Sequence, residues 1–491
     1  MRISIQIVAI LLLGCWAFHA PAAEQRVLVI VLDGLRPDYV NEELTPNIHA
    51  LAERGVFFED NHAVYPTVTR VNSPSIATGS YPKTHGLMGN SVYFPAVEAG
   101  KGLSTSDARN LFRIDEATGG KLLTTISMGE HLENQGLKLL AVSAGSTGSG
   151  LLLNHKAAGL GLIQTDLVRP GSNQETVLQA VGPPPPEAMP NDARNTRIVD
   201  AYLHFGLGET PADVVFMWLS DPDKTAHNFG IGHPTSKEAI RLLDAQVGRI
   251  LAELDARGLT DTINILITSD HGFSTHTGGA NIWGRLKRDN LDRGVHVVGP
   301  AIYVTEGGQE QIGRIVNVLQ DEPWVGSIFT EAREPGAVEG SYPGTFSFDA
   351  IHYAHERGPD ILVGAAWTDE KNAFGFRGAT THPGTAGHGS PSPFDIRNTL
   401  VAAGPAFKSG IRTNVPSGNV DIAPTICRVL GIPIPESMDG RVLEEALNGG
   451  PEPRYVRTER RSHLLRAGSH EFMMRISTVA GHTYLDEAGR F

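Results

Sequence analysis

Short apolar runs recur along the chain, and polar residues follow each of them. Five runs are rich in aliphatic and β-branched residues and show no regular alternation of polar positions. Continuous runs of this kind are typical of strands that are buried on both faces of a parallel sheet. The predicted strands cover Arg26–Leu32, residues 138–142, Val214–Leu219, Ile263–Thr268 and residues 399–403.

Helical periodicity lies between these runs. Residues 237–257 repeat apolar positions every three or four residues, and a helix at Pro46–Arg54 follows Thr45 as a candidate N-cap. A shorter helix is predicted at residues 73–78. Alternating strands and helices favour an α/β fold, with a doubly wound, mostly parallel sheet flanked by helices. In such folds the functional site lies at the carboxyl ends of the strands.

The periodicity loosens between residues 273 and 356, where only a strand at 299–304 and a helix at 312–319 are predicted. We interpret residues 273–356 as an inserted cap subdomain. It separates two parts of a catalytic α/β core, residues 24–272 and 357–450, and residues 451–491 form a C-terminal extension.

The first 23 residues predict an export signal. Arg2 gives a positive start, residues 3–18 are largely apolar, and small residues follow at 20–22. The apolar stretch is too short to favour a permanent membrane span, so we expect a periplasmic or secreted protein with no transmembrane anchor after cleavage. Lipid attachment at Cys15 is a weaker alternative. Cleavage would leave Cys427 alone, for which we predict a packing role.

The charge composition of the chain argues against some classes of binding partner. The 491 residues carry 41 Lys and Arg against 54 Asp and Glu, for a net charge of −13. An acidic surface argues against coating a nucleic-acid duplex, which requires many basic contacts to phosphate. A small anionic substrate stays compatible, because a bound metal ion can invert the local field.

Carboxylates and histidines follow the predicted strands. Each is a weak signal alone, because an isolated Asp after a strand is more often a turn residue. Together they form a set of hard oxygen and imidazole ligands, typical of zinc and related divalent ions, and large enough for two metals. The set is Asp33, Asp223, His227, Asp270, His271 and His388.

A candidate nucleophile lies in residues 65–79, where hydroxyl side chains cluster just before a predicted helix. A helix N-terminus stabilises an anion, and a hydroxyl held there beside a metal can attack phosphorus. Simple capping of the helix by Thr69 or Ser73 is the alternative interpretation.

The motifs, in their order along the chain, resemble the nucleotide pyrophosphatase/phosphodiesterase family of the alkaline phosphatase superfamily. The resemblance extends from about residue 26 to residue 447 outside the cap, including a closing segment at residues 421–441. The matching stretches are VLDGLRPD with Asp33, YPTVT with Thr69, ATGSYPKTHGLMGN with Asn90, DPDKTAH with Asp223 and His227, SDHGF with Asp270 and His271, and GHG with His388.

The resemblance implies an alkaline-phosphatase-like fold, two Zn²⁺ ions per chain (Mn²⁺ or Fe as alternatives) and a covalent phosphothreonine intermediate on Thr69. Asn90 would donate its amide to a phosphoryl oxygen. Asp221 competes with Asp223, which we prefer because it follows a proline and precedes His227 by four residues. The implied metal ligands are Asp33, Thr69, Asp270 and His271 for one ion, and Asp223, His227 and His388 for the other.

The sequence departs from the family pattern after the nucleophile. Arg70 stands where the family more often has an aromatic residue, so stacking on a nucleobase is in doubt. Arg70 is either a contact to a second anionic oxygen of the substrate or a salt-bridged surface residue. Tyr93, with Phe94, is either an apolar substrate contact or an ordinary core residue.

The leading hypothesis is an exported zinc phosphodiesterase or nucleotide pyrophosphatase that acts on a small phosphate-containing substrate. One alternative is hydrolysis of a phosphonate, of the phosphonoacetate type, or of a phosphomonoester at the same site. The other alternative is a non-catalytic protein that binds a metal or an anion. Basic residues of the cap either bind an acidic substrate tail or form a solvated face; they are Arg285, Lys287 and Arg288. The sequence leaves the oligomeric state open.

Overall fold

The structure is a computed structural model, and it describes residues 25–490. The predicted export signal, with Cys15, lies outside the described residues. Between residues 25 and 490, no helix has both the length and the apolar character needed to cross a bilayer.

The strands are numbered in chain order. They are β1 (Arg26–Leu32), β2 (Val56–Phe58), β3 (Asn61–His62), β4 (Ser91–Phe94), β5 (Glu98–Ser104), β6 (Leu139–Ser143), β7 (Gly161–Gln164), β8 (Leu167–Arg169), β9 (Val214–Leu219), β10 (Ile263–Thr268), β11 (Ser274–His276), β12 (Val295–Val298), β13 (Ala301–Val304), β14 (Val325–Thr330), β15 (Phe346–Ser347), β16 (Ile361–Ala365), β17 (Trp367–Lys371), β18 (Arg377–Thr380), β19 (Ala386–Gly387), β20 (Leu400–Ala403), β21 (Ile411–Thr413), β22 (Ser417–Gly418), β23 (Thr458–Ala467), β24 (His470–Val479) and β25 (His482–Arg490).

The α-helices are numbered in the same way. They are α1 (Pro46–Arg54), α2 (Thr69–Thr78), α3 (Pro82–His85), α4 (Ala108–Ala117), α5 (Met128–Asn134), α6 (Thr147–Leu153), α7 (Gln174–Val181), α8 (Asp192–Ala201), α9 (Asp223–Phe229), α10 (Pro234–Ala256), α11 (Ile282–Arg288), α12 (Gly308–Gln320), α13 (Pro393–Ile396) and α14 (Ile422–Leu430).

A nine-stranded sheet forms the centre of the molecule, in the order β21-β2-β20-β10-β1-β9-β6-β7-β8. β1 pairs in parallel with both β9 and β10. Alternate side chains of β1 enter two separate hydrophobic cores, with Val27, Val29 and Val31 on one face and Leu28, Ile30 and Leu32 on the other. The predicted α/β fold with a mostly parallel sheet is therefore confirmed.

The strand and helix predictions differ from the structure at several boundaries. The run at residues 399–403 was expected in a parallel sheet, but β20 pairs antiparallel with β10 and with β2. The helix predicted at 237–257 begins at Pro234, and the helix predicted at 73–78 begins at Thr69. Thr45 precedes α1, but its hydroxyl donates to the Tyr39 carbonyl and does not cap the helix.

The chain after β11 forms a five-stranded sheet in the order β12-β13-β16-β14-β15. Helices α11 and α12 share a third hydrophobic core with it. The sheet continues to Ala365, so a boundary at residue 356 falls inside it, and the proposed division into domains stays a prediction. Arg285 and Arg288 of α11 both pair with Glu322, and Lys287 lies over the Trp283 ring.

The C-terminal strands β23, β24 and β25 form their own antiparallel sheet, which is tied to the rest of the fold by buried charge. His62 Nε2 lies 3.0 Å from Asp486 Oδ1. Arg460 Nη2 lies 2.8 Å from Asp60 Oδ2. Cys427 is buried in α14, as its predicted packing role requires.

Candidate active site

Three strand ends bring the predicted acidic residues to one edge of the central sheet. Asp33 directly follows β1, Asp223 begins α9 shortly after β9, and Asp270 follows β10. Gly34 allows the chain to turn there. Its φ is +74°, and a Cβ at this position would come within 3.2 Å of Asp223. The Gly34 N–H donates to Asp270 Oδ1 at 3.0 Å.

One group of ligand atoms surrounds His271. Its Nε2 lies 3.0 Å from Asp270 Oδ2 and 3.6 Å from Asp33 Oδ1. Thr69 Oγ1 lies 3.4 Å from the same nitrogen. All four side chains are buried. The structure thus brings together the residues predicted for one ion, including the candidate nucleophile.

The second group centres on Asp223. Its Oδ1 lies 3.1 Å from His227 Nε2 and 3.2 Å from His388 Nε2. The rings of His271 and His388 stack with their centroids 3.4 Å apart, so the two groups are adjacent. The side chain of His227 is 41% exposed, whereas that of His271 is fully buried, so the site opens to solvent on the His227 side.

Backbone carbonyls orient all three imidazoles. The Nδ1 atom of His227 lies 2.9 Å from Ala386 O, that of His271 lies 2.9 Å from Gly272 O, and that of His388 lies 2.7 Å from Thr67 O. A carbonyl only accepts, so each Nδ1 must carry the proton when the ring is neutral. Each Nε2 is then left with a lone pair that faces the carboxylates, which is the arrangement of a histidine metal ligand.

Three carboxylate oxygens of the site have no hydrogen-bond donor among the described residues. Oδ1 of Asp33, Oδ1 of Asp223 and Oδ2 of Asp270 are buried and accept no hydrogen bond from a described residue. The other oxygen of Asp33 accepts from Trp218 Nε1 at 2.9 Å. Buried anionic oxygens without donors are costly, and a divalent cation would satisfy all three. The donor set therefore fits metal ions.

The pKa values of the carboxyl groups are shifted by the same burial and crowding. Burial, followed by the charges of Asp270 and Asp223, raises the pKa of Asp33 well above its usual value. Burial also acts to raise the pKa of Asp223, but the adjacent His227 and His388 outweigh it and hold the value well below normal. The crowded carboxylates thus compete for positive charge, which a metal ion would supply.

The candidate nucleophile is the first residue of α2, after Val68 at the N-cap position. Asn72, one turn later, holds the preceding loop: its Oδ1 accepts from the Val64 N–H at 2.7 Å, and its Nδ2 donates to the Val64 carbonyl at 3.0 Å. Asn419 Nδ2 lies within hydrogen-bond distance of both Asn72 Oδ1 and the Asp270 carbonyl. This amide network links the loop before Thr69 to Asp270, a candidate metal ligand.

Asn90 and Arg70 meet beside Thr69. The Arg70 backbone N–H donates to Asn90 Oδ1 at 3.0 Å, which leaves the Asn90 amide N–H groups as its free end. Tyr93 takes part in a different contact: its ring stacks on His296 with centroids 4.3 Å apart, and its hydroxyl donates to the Ala99 carbonyl. It also lines a separate cavity of about 1100 Å³, together with Phe94.

Asp221, the competitor of Asp223, is occupied elsewhere. Its carboxylate accepts from the Asn191 N–H at 2.7 Å and from the Thr225 hydroxyl at 2.7 Å. Trp218 and Asn419 support the site but are not among the residues that the sequence predicts. Trp218 lies in a uniformly apolar strand, and no local pattern marks the indole N–H that reaches Asp33.

Another acidic group lies outside this site. Asp60, His62 and Asp486 also bring ligand atoms within 4.8 Å of one another. Here the oxygens are already matched by donors, because Arg397 and Arg460 bind Asp60 and the Ser477 hydroxyl donates to Asp486. We interpret this cluster as a buried ion-pair network.

Comparison with known proteins agrees with these observations. The family model of the type I phosphodiesterases/nucleotide pyrophosphatases matches residues 27–322. Venom phosphodiesterase 2 from Crotalus adamanteus is 29% identical over 264 residues, or 52% of this chain and 28% of the venom enzyme. The match thus spans little more than a quarter of that enzyme. Human ectonucleotide pyrophosphatase/phosphodiesterase family member 7 is 22% identical over 439 residues, covering 86% of this chain and 83% of the relative.

Solved structures share the fold. Murine ectonucleotide pyrophosphatase/phosphodiesterase 5, an inactive variant in complex with AMP, aligns with a TM-score of 0.60 at 18% identity, covering 84% of this chain and 96% of the neighbour. The human protein of the same name gives 0.61 at 19% identity, covering 86% and 100%. The alkaline-phosphatase-like fold is thereby confirmed.

Proposed function

The chain belongs to the type I phosphodiesterase/nucleotide pyrophosphatase family, and from this premise we propose that it is an exported, metal-dependent hydrolase of phosphoric esters. Its substrate would be a small phosphate-containing molecule, and Thr69 would be its nucleophile. Export is supported by the apolar segment at residues 3–18. The relatives whose names describe ectoenzymes or venom enzymes are consistent with it.

The proposed cofactor is a pair of Zn²⁺ ions. Asp33, Asp270 and His271 would hold one ion beside Thr69, and a second group would hold the other; its members are Asp223, His227 and His388. When bound, such ions act as Lewis acids that neutralise charge on phosphoryl oxygens and favour the ionised form of a nearby hydroxyl. The single observation that carries the proposal is the trio of buried carboxylate oxygens without donors, each of which lies 3.0–3.6 Å from an Nε2 atom of His227, His271 or His388.

In the proposed reaction, Thr69 Oγ1 forms a bond to phosphorus as the bond from phosphorus to the leaving oxygen breaks. The Thr69 hydroxyl proton passes to solvent and the leaving oxygen takes up a proton from solvent, so the product of this step is a phosphothreonine and a free alcohol or phosphate. Water then attacks the phosphothreonine, which releases phosphate or a phosphoric monoester and restores the hydroxyl. Asn90 contributes its free amide N–H to an equatorial phosphoryl oxygen, where negative charge accumulates.

The three histidines have no part as general bases in this scheme. Each Nδ1 proton is held by a carbonyl, and each Nε2 faces the carboxylates. The proposed role of these side chains is to hold the metal ions, while the fold fixes Thr69 at the start of α2. The helix N-terminus adds a modest attraction for the anion that forms there.

The test is substitution of the nucleophile. Zinc-loaded wild type is expected to hydrolyse bis-p-nitrophenyl phosphate or p-nitrophenyl phosphate, and Thr69→Ala is expected to hydrolyse neither. The matched control is Ser104→Ala, which removes an exposed hydroxyl at the end of β5 and should leave turnover unchanged. Undiminished turnover by Thr69→Ala, or no turnover by the zinc-loaded wild type, would contradict the proposal.

A further inference from the structure

We propose that Arg70 selects substrates whose reacting phosphoryl group carries two negative charges, which means a phosphoric monoester in preference to a diester. This inference rests on the proposed function, because it names the substrate class of the same site. It starts from a cation that has no anionic partner within residues 25–490.

The backbone of Arg70 is held by a hydrogen bond, whereas its guanidinium has no partner among residues 25–490. It follows Thr69 in the first turn of α2, and its N–H donates to Asn90 Oδ1 at 3.0 Å. The Nε atom is buried and has no hydrogen-bond partner in the described part of the chain. Nor does the guanidinium form an ion pair there. The surface salt bridge considered from the sequence is therefore not formed.

Two arginines that are more deeply buried than Arg70 are paired with carboxylates. Arg36 pairs with Asp38 at 2.7 Å, and Arg441 pairs with Glu445 at 2.6 Å. A guanidinium whose Nε is buried without such a partner costs free energy until an anion binds it. Arg197 and Arg490 also have a buried nitrogen without a hydrogen-bond partner among the described residues, so Arg70 differs from them by its position directly after Thr69 in the first turn of α2.

Arg70 lies directly after Thr69 in α2, and its charge interacts with those of the candidate metal ligands. Burial lowers the pKa of Arg70, and the carboxylates of Asp33, Asp223 and Asp270 act in the opposite direction. Arg70 in turn acts to lower the pKa of His227, which belongs to the second group of ligands. Among the described residues, the guanidinium forms an ion pair with none of these carboxylates.

Monoesters and diesters differ in the number of bare anionic oxygens on the reacting phosphorus, and a cation such as Arg70 can distinguish them. In an in-line displacement the phosphorus presents three equatorial substituents. In a monoester all three are oxygens that share two negative charges, whereas in a diester one oxygen carries an organic group. A guanidinium matches bare oxygen anions with its planar set of donors, and it gains nothing from an alkyl or aryl ether. Arg70 therefore favours the monoester.

The aromatic residues that follow Asn90 support the same choice. Tyr93 packs on His296 of the five-stranded sheet, and the Arg357 guanidinium lies over the Phe94 ring. The cavity that Tyr93 and Phe94 line is bordered by none of the candidate metal ligands, so these rings do not replace the aromatic surface that Arg70 displaces.

The experiment compares two substrates with one leaving group: p-nitrophenyl phosphate and methyl p-nitrophenyl phosphate. Zinc-loaded wild type, Arg70→Met, Arg70→Lys and the control Arg461→Ala, which removes an exposed arginine of β23, are assayed above the second phosphate pKa of about 6. Arg70→Met should lose about tenfold to a hundredfold in kcat/KM for the monoester, and keep its value for the methyl ester. Arg70→Lys should recover part of the loss.

A binding measurement accompanies the assay. Calorimetric titration of inorganic phosphate into zinc-loaded Thr69→Ala should give an affinity that falls by a similar factor when Arg70→Met is added. Equal losses on both substrates, or unchanged phosphate affinity, would overturn the role of Arg70 while leaving the hydrolase intact. Retained turnover in Thr69→Ala would instead overturn the proposed function.

Discussion

Trp218 offers the sharpest test of how the protein supports its candidate metal site. The indole is fully buried, and its N–H donates to Asp33 Oδ2 at 2.9 Å. Trp218→Phe removes this donor but keeps an aromatic ring in the strand. We expect a weaker zinc site, because the Asp33 carboxylate loses the contact that fixes its orientation and favours its ionised form.

The magnitude follows from the type of hydrogen bond. A hydrogen bond to a charged group contributes about 1.5–3 kcal/mol, and about 1.4 kcal/mol corresponds to a tenfold change in affinity. Zinc affinity should therefore fall by about 10- to 100-fold, which is also the usual effect of removing a residue that supports a metal ligand. Competition between the protein and a chromophoric chelator measures this change directly.

Trp367→Phe is the matched control. The Trp367 N–H donates to the Ala488 carbonyl at 2.8 Å and to none of the candidate metal ligands. Both variants are expected to lose some stability because the smaller ring leaves unfilled space, but only Trp218→Phe should lose zinc affinity. A Trp218→Phe variant that binds zinc within about threefold of wild type would refute the reasoning, as would an equal loss in both variants.

Two further predictions concern other buried charges. Burial acts to lower the pKa of His62, but Asp60 and Asp486 outweigh it and raise the value. The resulting stabilisation should be present below about pH 6.5 and be lost as the pH rises through the folded pKa. Urea unfolding across this range should show the decline in wild type but not in His62→Gln, and identical profiles would contradict it. Asp223→Asn should abolish one of two zinc sites by elemental analysis while Asp221→Asn retains both, and the reverse result would show that the wrong aspartate was chosen.

Much of the fold could be predicted because the strands of the central sheet are buried on both faces. β1, β9 and β10 have the bounds that their apolar runs predict. β20 has the same composition but runs antiparallel, and strand direction depends on the path of the chain before it, which no local pattern records. The start of α2 was missed because Thr69 and Arg70 are not apolar, although the helix begins with them.

The candidate site was predictable for a related reason. Carboxyl ends of parallel strands meet at one edge, so residues following separate strands could be expected to converge. Contacts that are made through long loops could not be predicted from the sequence. The carbonyls of Thr67 and Ala386 that orient His388 and His227, and the Asn419 amide, depend on tertiary packing alone.

Anomalous scattering at the zinc edge, from crystals of the zinc-loaded protein, would locate bound zinc ions directly. We expect two peaks. One would lie among Asp33, Thr69, Asp270 and His271, and the other among Asp223, His227 and His388. A map with no peak at these residues, or with zinc only at the cluster around His62, would contradict it.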